Sequence, residues 1–227
     1  SDEKMNQGMA AMLSLVPSFK LEDQPVELIF LVDRSGSMSG SSIVQAKQAL
    51  NLFLHSLPSD CYFNIWSFGS SFDVLFESGS KKYSDHTLNT ALQHVASMDA
   101  DYAGTEIYQP LDAIFKQPKP ASGYTRQIFV LTDGEVSNAP SVISLVKENN
   151  AHGRIFSLGL GSSASRYLVK GIARAGSGTS IFASEREDLR TKVMSQLKNA
   201  LQPALIDVKI SWKDNTPPQT YYNMAVE

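Results

Sequence analysis

Apolar and polar residues along this chain are grouped in blocks, and the period changes from block to block. Residues 26–32, VELIFLV, are apolar almost throughout and are bounded by Pro25 and Asp33. A short run of this kind, closed by turn formers, predicts a strand buried on both faces. The period then becomes helical: Ile43, Ala46, Leu50, Phe53, Leu54 and Leu57 recur along one face, and Pro58 stops them. CYFNIWSF (61–68) reads as a second strand, and SFDVLFE (71–77), after Gly69, as its antiparallel hairpin partner at a sheet edge. A helix follows over 85–98, with Leu88, Ala91, Leu92, Val95 and Met98 on one face. A shorter one spans 107–115, with Pro110 tolerated in its first turn.

The second half repeats the alternation. RQIFVLTD (126–133) is an apolar strand that ends in an aspartate, as 26–32 does. NAPSVISLVKENN predicts a helix with Asn138 as cap and Pro140 at an early position. RIFSLGLG (154–161) is a strand, SRYLVKGIARAG a helix closed by Gly176, and TSIFA a short strand. Residues 186–201 form the last helix, with Leu189, Val193, Leu197 and Leu201 in register and Pro203 behind it. Strand and helix in alternation mean an α/β fold, a mostly parallel sheet with helices on both faces and one antiparallel edge strand. The ends fit less well. AAMLSLVPSF (10–19) and ALIDVKISW (204–212) are strand-like, and either pair with each other or belong to a neighbouring β-rich unit. No pattern is legible after Trp212. These features divide the chain into an N-terminal extension (1–24), a core (25–202) and a C-terminal extension (203–227).

Composition narrows the function classes. At 227 residues the chain suits one large domain. A net charge of −3 offers no basic excess for nucleic acid or an anionic membrane, and the apolar runs are too short for membrane insertion. The single cysteine, Cys61, cannot form an internal disulfide, and SDEKMNQGMA lacks the basic start and apolar run of a signal peptide. Both features favour the cytoplasm over secretion. The chain starts with Ser and is expected to be part of a larger multidomain protein.

Oxygen donors cluster where α/β sheets place their sites, at the carboxyl ends of strands. Asp33-Arg34-Ser35-Gly36-Ser37 follows the first strand, Gly104-Thr105-Glu106 lies in a loop, and Thr132-Asp133-Gly134-Glu135 follows a later strand. Ser35, Ser37 and Thr105 bring hydroxyls; Asp33 and Asp133 bring carboxylates. An all-oxygen set suits a hard cation, Mg²⁺, Mn²⁺ or Ca²⁺, and disfavours zinc. In Asp-x-Ser-x-Ser, alternate loop residues can turn to one point, with Gly36 easing the bend. Ser39, Ser41 and Ser42 read as turn or capping residues, Glu106 and Glu135 as rim charges, and Arg34 as solvent-facing or a partner contact. Asp101 is a loop acid or a second acceptor behind the site. Trp66 and Phe68 belong to the core.

Enzyme readings are weaker. GLGSSA (159–164) imitates a dinucleotide fingerprint, but on a late strand and with only Glu185 as a ribose partner; its glycines fit close packing better. Asp33 resembles an aspartyl-phosphatase nucleophile, but Ser35 stands where the second acid belongs. GSMSG puts Met38 at the nucleophile position of Gly-x-Ser-x-Gly. No catalysis is expected.

Asp33-x-Ser35-x-Ser37, a distant Thr105 and Asp133-Gly134 resemble the metal-ion-dependent adhesion site of von Willebrand factor type A domains, over roughly residues 26–201. YFNIWSFGSSF, GTEIYQPL, VLTDGEVSN and KGIARAGSGTSIF are similar to the subgroup in which this domain follows a vault inter-alpha-trypsin (VIT) domain. That subgroup includes inter-alpha-trypsin inhibitor heavy chains, the vault poly(ADP-ribose) polymerase and intracellular relatives. The resemblance implies a Rossmann-like three-layer fold, with residues 10–19 ending a VIT domain. It also implies direct metal contacts from Ser35, Ser37 and Thr105, and contacts largely through water from Asp33 and Asp133. A mostly neutral shell would leave the ion charged and ready for a partner's Glu or Asp. It further implies a shift of the last helix on ligation. A scaffold domain with a permanent or vestigial metal site is the alternative, and a nucleotide-binding or phosphatase-like enzyme the remote one.

Overall fold

The structure, a computed structural model, describes residues 25–134, 136–162, 164–184 and 188–202, and the backbone of four short strands beyond them. In chain order the elements are β1 (Val26–Asp33), α1 (Ser41–Leu54), β2 (Tyr62–Phe68), β3 (Phe72–Val74), β4 (Lys81–Lys82), α2 (Asp85–Ser97), α3 (Tyr108–Lys116), β5 (Thr125–Thr132), α4 (Ala139–Glu148), β6 (Arg154–Leu160), α5 (Arg166–Ala175), β7 (Ser180–Ala183) and α6 (Leu189–Leu201). Seven strands form one sheet in the order β3-β2-β1-β5-β6-β7, with β4 also on β2. β1, β2, β5, β6 and β7 are parallel, whereas β3 and β4 run antiparallel to β2. The expected antiparallel edge is therefore present. β4, only two residues long, is too short for any periodicity to reveal.

Burial on both faces explains the solid apolar runs. Leu28, Phe30 and Val32 of β1 join residues of α1, α2 and α6, while Ile29 and Leu31 join residues of α3, α4 and α5. Phe30, Phe53, Phe129 and Phe156 stack with ring centroids 4.7–5.4 Å apart, tying α1 to β1, β5 and β6. Each such side chain contributes about 1.5–3 kcal/mol by leaving water. Among the buried polar side chains, Gln196 of α6 donates through Nε2 to the carbonyls of Ser157 (3.2 Å) and Thr179 (3.1 Å) and accepts from the Thr179 hydroxyl (2.6 Å).

At the amino-terminal edge of the sheet, Glu27 of β1 stands in register with Arg126 of β5. Arg126 Nε lies 2.7 Å from Glu27 Oε2, and both side chains are 1% exposed. Ser80 donates to Glu27 at 2.6 Å, and the Arg126 guanidinium also donates to the carbonyls of Ile114, Gln117 and Pro118.

Several helix starts differ from expectation. Ser41 and Ser42 are the first two residues of α1, and its cap position is Gly40, at φ 83°, a left-handed value that favours glycine. Ser39 closes a 3₁₀ turn at Gly36–Met38, and Gly36 has open space around it and no positive φ. The glycine that the backbone requires here is Gly40. Asn138 occupies the cap position of α4 but its side chain makes no capping bond. A reciprocal capping box forms instead between Ser84 and Thr87 at α2.

Past α6, β8 (Ala204–Leu205) and β9 (Val208–Ile210) pair antiparallel with β11 (Met224–Ala225) and β10 (Gln219–Tyr221), respectively. The described strands within 204–210 thus find their partners in the tail. Residues 10–19 lie outside the described residues.

Candidate metal centre

The chain builds the sheet outward from β1 in one direction to β2 and β3, then restarts at β5 and builds the other way to β6 and β7. The reversal lies between β1 and β5, so their carboxyl ends open a crevice there. Asp33 ends β1, and Thr132 and Asp133 end β5. Asp33 is fully buried. Its Oδ1 accepts from the Ser35 amide at 2.9 Å, and its Oδ2 from the Thr132 hydroxyl at 2.6 Å. The Gly134 amide donates to the same hydroxyl at 2.7 Å, which fixes its orientation. Burial pushes the Asp33 carboxyl up to about 6, although the Ser35 and Thr132 hydrogen bonds pull the other way. No lysine or arginine among the described residues lies within ion-pair distance of it.

The Ser35 and Ser37 hydroxyls converge to 3.0 Å, so alternate residues of the loop do turn to one point. Ser35 is buried and Ser37 exposed. Asp133 is buried, and its carbonyl accepts from the Ser165 amide at 2.7 Å, joining the loop after β6 to the site. Thr105, half-buried, sits in the segment between α2 and α3. Ser35 and Tyr102 form an isolated parallel bridge, with the Tyr102 amide donating to the Arg34 carbonyl at 3.0 Å. The Glu106 amide donates to the Gly69 carbonyl at 2.7 Å. These contacts tie the Thr105 segment on both sides to the same end of the sheet. The five sequence-selected residues thus come from three loops at one edge. Among the described residues no three His, Cys, Asp or Glu side chains converge, and the donors gathered here are mostly hydroxyls.

Arg34 departs from the expectation. It is buried rather than solvent-facing, because its guanidinium turns back under the Thr105 segment. Nε donates to the Asp99 carbonyl at 2.9 Å, a terminal nitrogen lies 2.6 Å from Asp101 Oδ1, and the group stacks 4.6 Å from the Tyr102 ring. Asp101 is therefore the ion partner of Arg34. Tyr102 in turn donates its hydroxyl to Asp73 of β3. The signal for this network was a cation next to a site aspartate; its acid lay 67 residues away. Glu106 is exposed at the rim, and Glu135 and Glu185 lie outside the described residues. The dinucleotide-like glycines serve packing: a Cβ on Gly159 would lie 2.6 Å from the Phe182 ring.

The von Willebrand factor type A profile matches residues 26–182. The chain belongs to the von Willebrand factor type A domain family. Human von Willebrand factor A domain-containing protein 5A is 45% identical over 222 residues, 92% of this chain and 28% of that relative. The chain thus spans less than a third of its length. A von Willebrand factor type A structure from Catenulispora acidiphila superimposes at TM-score 0.71 with 18% identity, over 82% of this chain and 45% of that one. The manganese-loaded TRAP protein of Plasmodium vivax gives 0.61 with 18% identity, over 79% and 74%. Mussel byssus proximal thread matrix protein 1, with a zinc-occupied adhesion motif, gives 0.60 with 17% identity, over 79% and 46%. These solved structures share the three-layer fold.

Proposed function

We propose that this domain binds a divalent cation at the crevice between β1 and β5 and uses it to bind a partner protein. Ser35, Ser37 and Thr105 hold the ion through their hydroxyls; Asp33 and Asp133 act largely through bound water. One observation carries the reading. A fully buried carboxylate, with no cation of its own among the described residues, backs two hydroxyls 3.0 Å apart at the point where the strand order reverses. The donor set fits Mg²⁺ and admits Mn²⁺ or Ca²⁺. The named metals of the solved neighbours, manganese and zinc, support a divalent ion of some kind. An ion held mainly by neutral oxygens supplies an exposed positive charge. A partner's Glu or Asp completes its shell, and no bond is made or broken.

Calorimetric titration of Mg²⁺ and Mn²⁺ into chelator-treated protein tests the site. Saturable binding that disappears in Asp33→Ala and Ser37→Ala is the expected result; binding unchanged in both variants sinks the assignment. Capture of partners with and without chelator then tests the bridging role. Chelator-insensitive capture would leave the scaffold reading in its place. The VIT-bearing subgroup, the 25–202 domain bounds and a cytoplasmic setting in a larger multidomain chain complete the proposal. The quoted motifs support the subgroup, the alternating strands and helices the bounds, the lone Cys61 the setting, and the 28% share of the 5A relative a larger chain.

A further inference from the structure

Thr105 lies between α2 and α3, on a segment that belongs to neither β1 nor β5. Something must hold that segment in place, and backbone bonds are few: Tyr102 to Arg34, and Glu106 to Gly69. The side chain that spans the gap is Arg34, the second residue of Asp-x-Ser-x-Ser. Its guanidinium binds the segment in three ways: the Asp99 carbonyl at 2.9 Å, the Asp101 carboxylate at 2.6 Å and the Tyr102 ring face at 4.6 Å. A planar fork on an aromatic face with a carboxylate at its rim is a geometry that arginine meets and lysine does not. The other side is closed by Gly69, where a Cβ would clash with the Tyr102 side chain, and by the Tyr102 hydroxyl on Asp73. Behind it, Lys47 of α1 donates to the carbonyls of Ala96 (2.8 Å) and Met98 (2.9 Å), anchoring the start of the segment.

We infer that Arg34 is the positioning residue of the metal site: it clamps residues 99–102 against β1 and so presents Thr105 to an ion held by Ser35 and Ser37. The inference rests on the metal reading above. Arg34 touches no ion; it acts through the segment that carries Thr105. Loss of residues that orient metal ligands typically weakens metal affinity by about 10–100-fold.

The test is a double-mutant cycle in Mn²⁺ affinity, with Arg34→Lys, Thr105→Ala and the double variant. Arg34→Lys keeps the charge and removes the fork. Asp101→Asn, at an exposed partner, gives a second and milder break that leaves folding intact. Expected is a roughly tenfold loss in Arg34→Lys and in Thr105→Ala, with the double variant no weaker than Thr105→Ala alone. Asp101→Asn should shift affinity in the same direction. In metal-free protein, the Tyr102 and Glu106 amides should exchange faster in Arg34→Lys. Wild-type affinity in Arg34→Lys, or losses that simply add, overturns the inference while the metal site stands. No Mn²⁺ binding by the unaltered protein overturns the metal reading, and the inference with it.

Discussion

β1 carries a buried carboxylate at each end, Glu27 and Asp33, and the fold treats the two differently. At the amino end, Glu27 has Arg126 at 2.7 Å and the Ser80 hydroxyl at 2.6 Å. The guanidinium gives three more donors to carbonyls, so the charge is paired within the fold. At the carboxyl end, Asp33 has the Ser35 amide and the Ser35 and Thr132 hydroxyls, and the neighbouring cation, Arg34, faces away to Asp101. A buried carboxylate without a cation is costly, and here the cost shows as a carboxyl pushed up to about 6. The closed end is the structural one. The open end is the one at which we propose a cation binds.

The contrast breaks most visibly at the closed end. Arg126→Met should destabilise the domain by about 3–5 kcal/mol, since it leaves Glu27 buried and unpaired. Urea unfolding measures this; a loss within the range of an ordinary surface substitution would mean that water reaches Glu27. At the open end the same kind of experiment should reverse sign. The folded Asp33 carboxyl holds its proton up to about 6, against 3.8 in the unfolded chain. Its contribution to stability is therefore fully present below pH 3.8 and is lost as the pH rises through 6. In chelator at pH 7, Asp33→Asn should be more stable than the unaltered protein by about 3 kcal/mol, while losing Mn²⁺ binding. That advantage should vanish below pH 4. An Asn variant less stable than the parent at pH 7 in chelator would show that Asp33 is compensated after all.

Two smaller changes sharpen the comparison. Gly69→Ala should cost about 1–3 kcal/mol, because the added Cβ meets the Tyr102 side chain and displaces the Thr105 segment. It should weaken Mn²⁺ binding as well, a joint effect that Arg126→Met lacks once the protein is refolded at low temperature. Ser84→Ala, in the capping box of α2 and remote from both ends, should cost about 1 kcal/mol and leave metal affinity untouched. Thermal melting and titration of the same sample separate these cases.

Much of this was legible in the residue pattern, for a physical reason. Strands buried on both faces must be apolar throughout, so VELIFLV and RQIFVLTD announced themselves, and the aspartates that follow them lie at the edge where we propose the cation binds. Glu27 and Arg126 are charges inside apolar runs that the pattern alone did not single out, and only the register shows that they face one another. Arg34 was misread because side-chain alternation is a property of strands. The loop after Asp33 obeys it for Ser35 and Ser37, whose hydroxyls meet, but a long arginine in a loop goes where its acid is. Capping was misread at Ser41 and Ser42 because serine suits both the cap and the first turn, and Gly40 already supplied the left-handed corner. β4, β10 and β11 carry too few residues for any period.

Gln196 has a mechanical meaning as well. Its amide closes three hydrogen bonds at one spot on the β6 and β7 side of the sheet. A helix held only by aliphatic contacts slides by small steps, trading one neighbour for the next. Hydrogen bonds set one position instead, because they fail well before a full turn of about 5.4 Å is travelled. α6 is indexed to the sheet by such bonds along its length, from Lys192 on the Phe182 carbonyl through Gln196 to Asn199 on the Thr179 hydroxyl, so its register reads like a scale fixed at three marks.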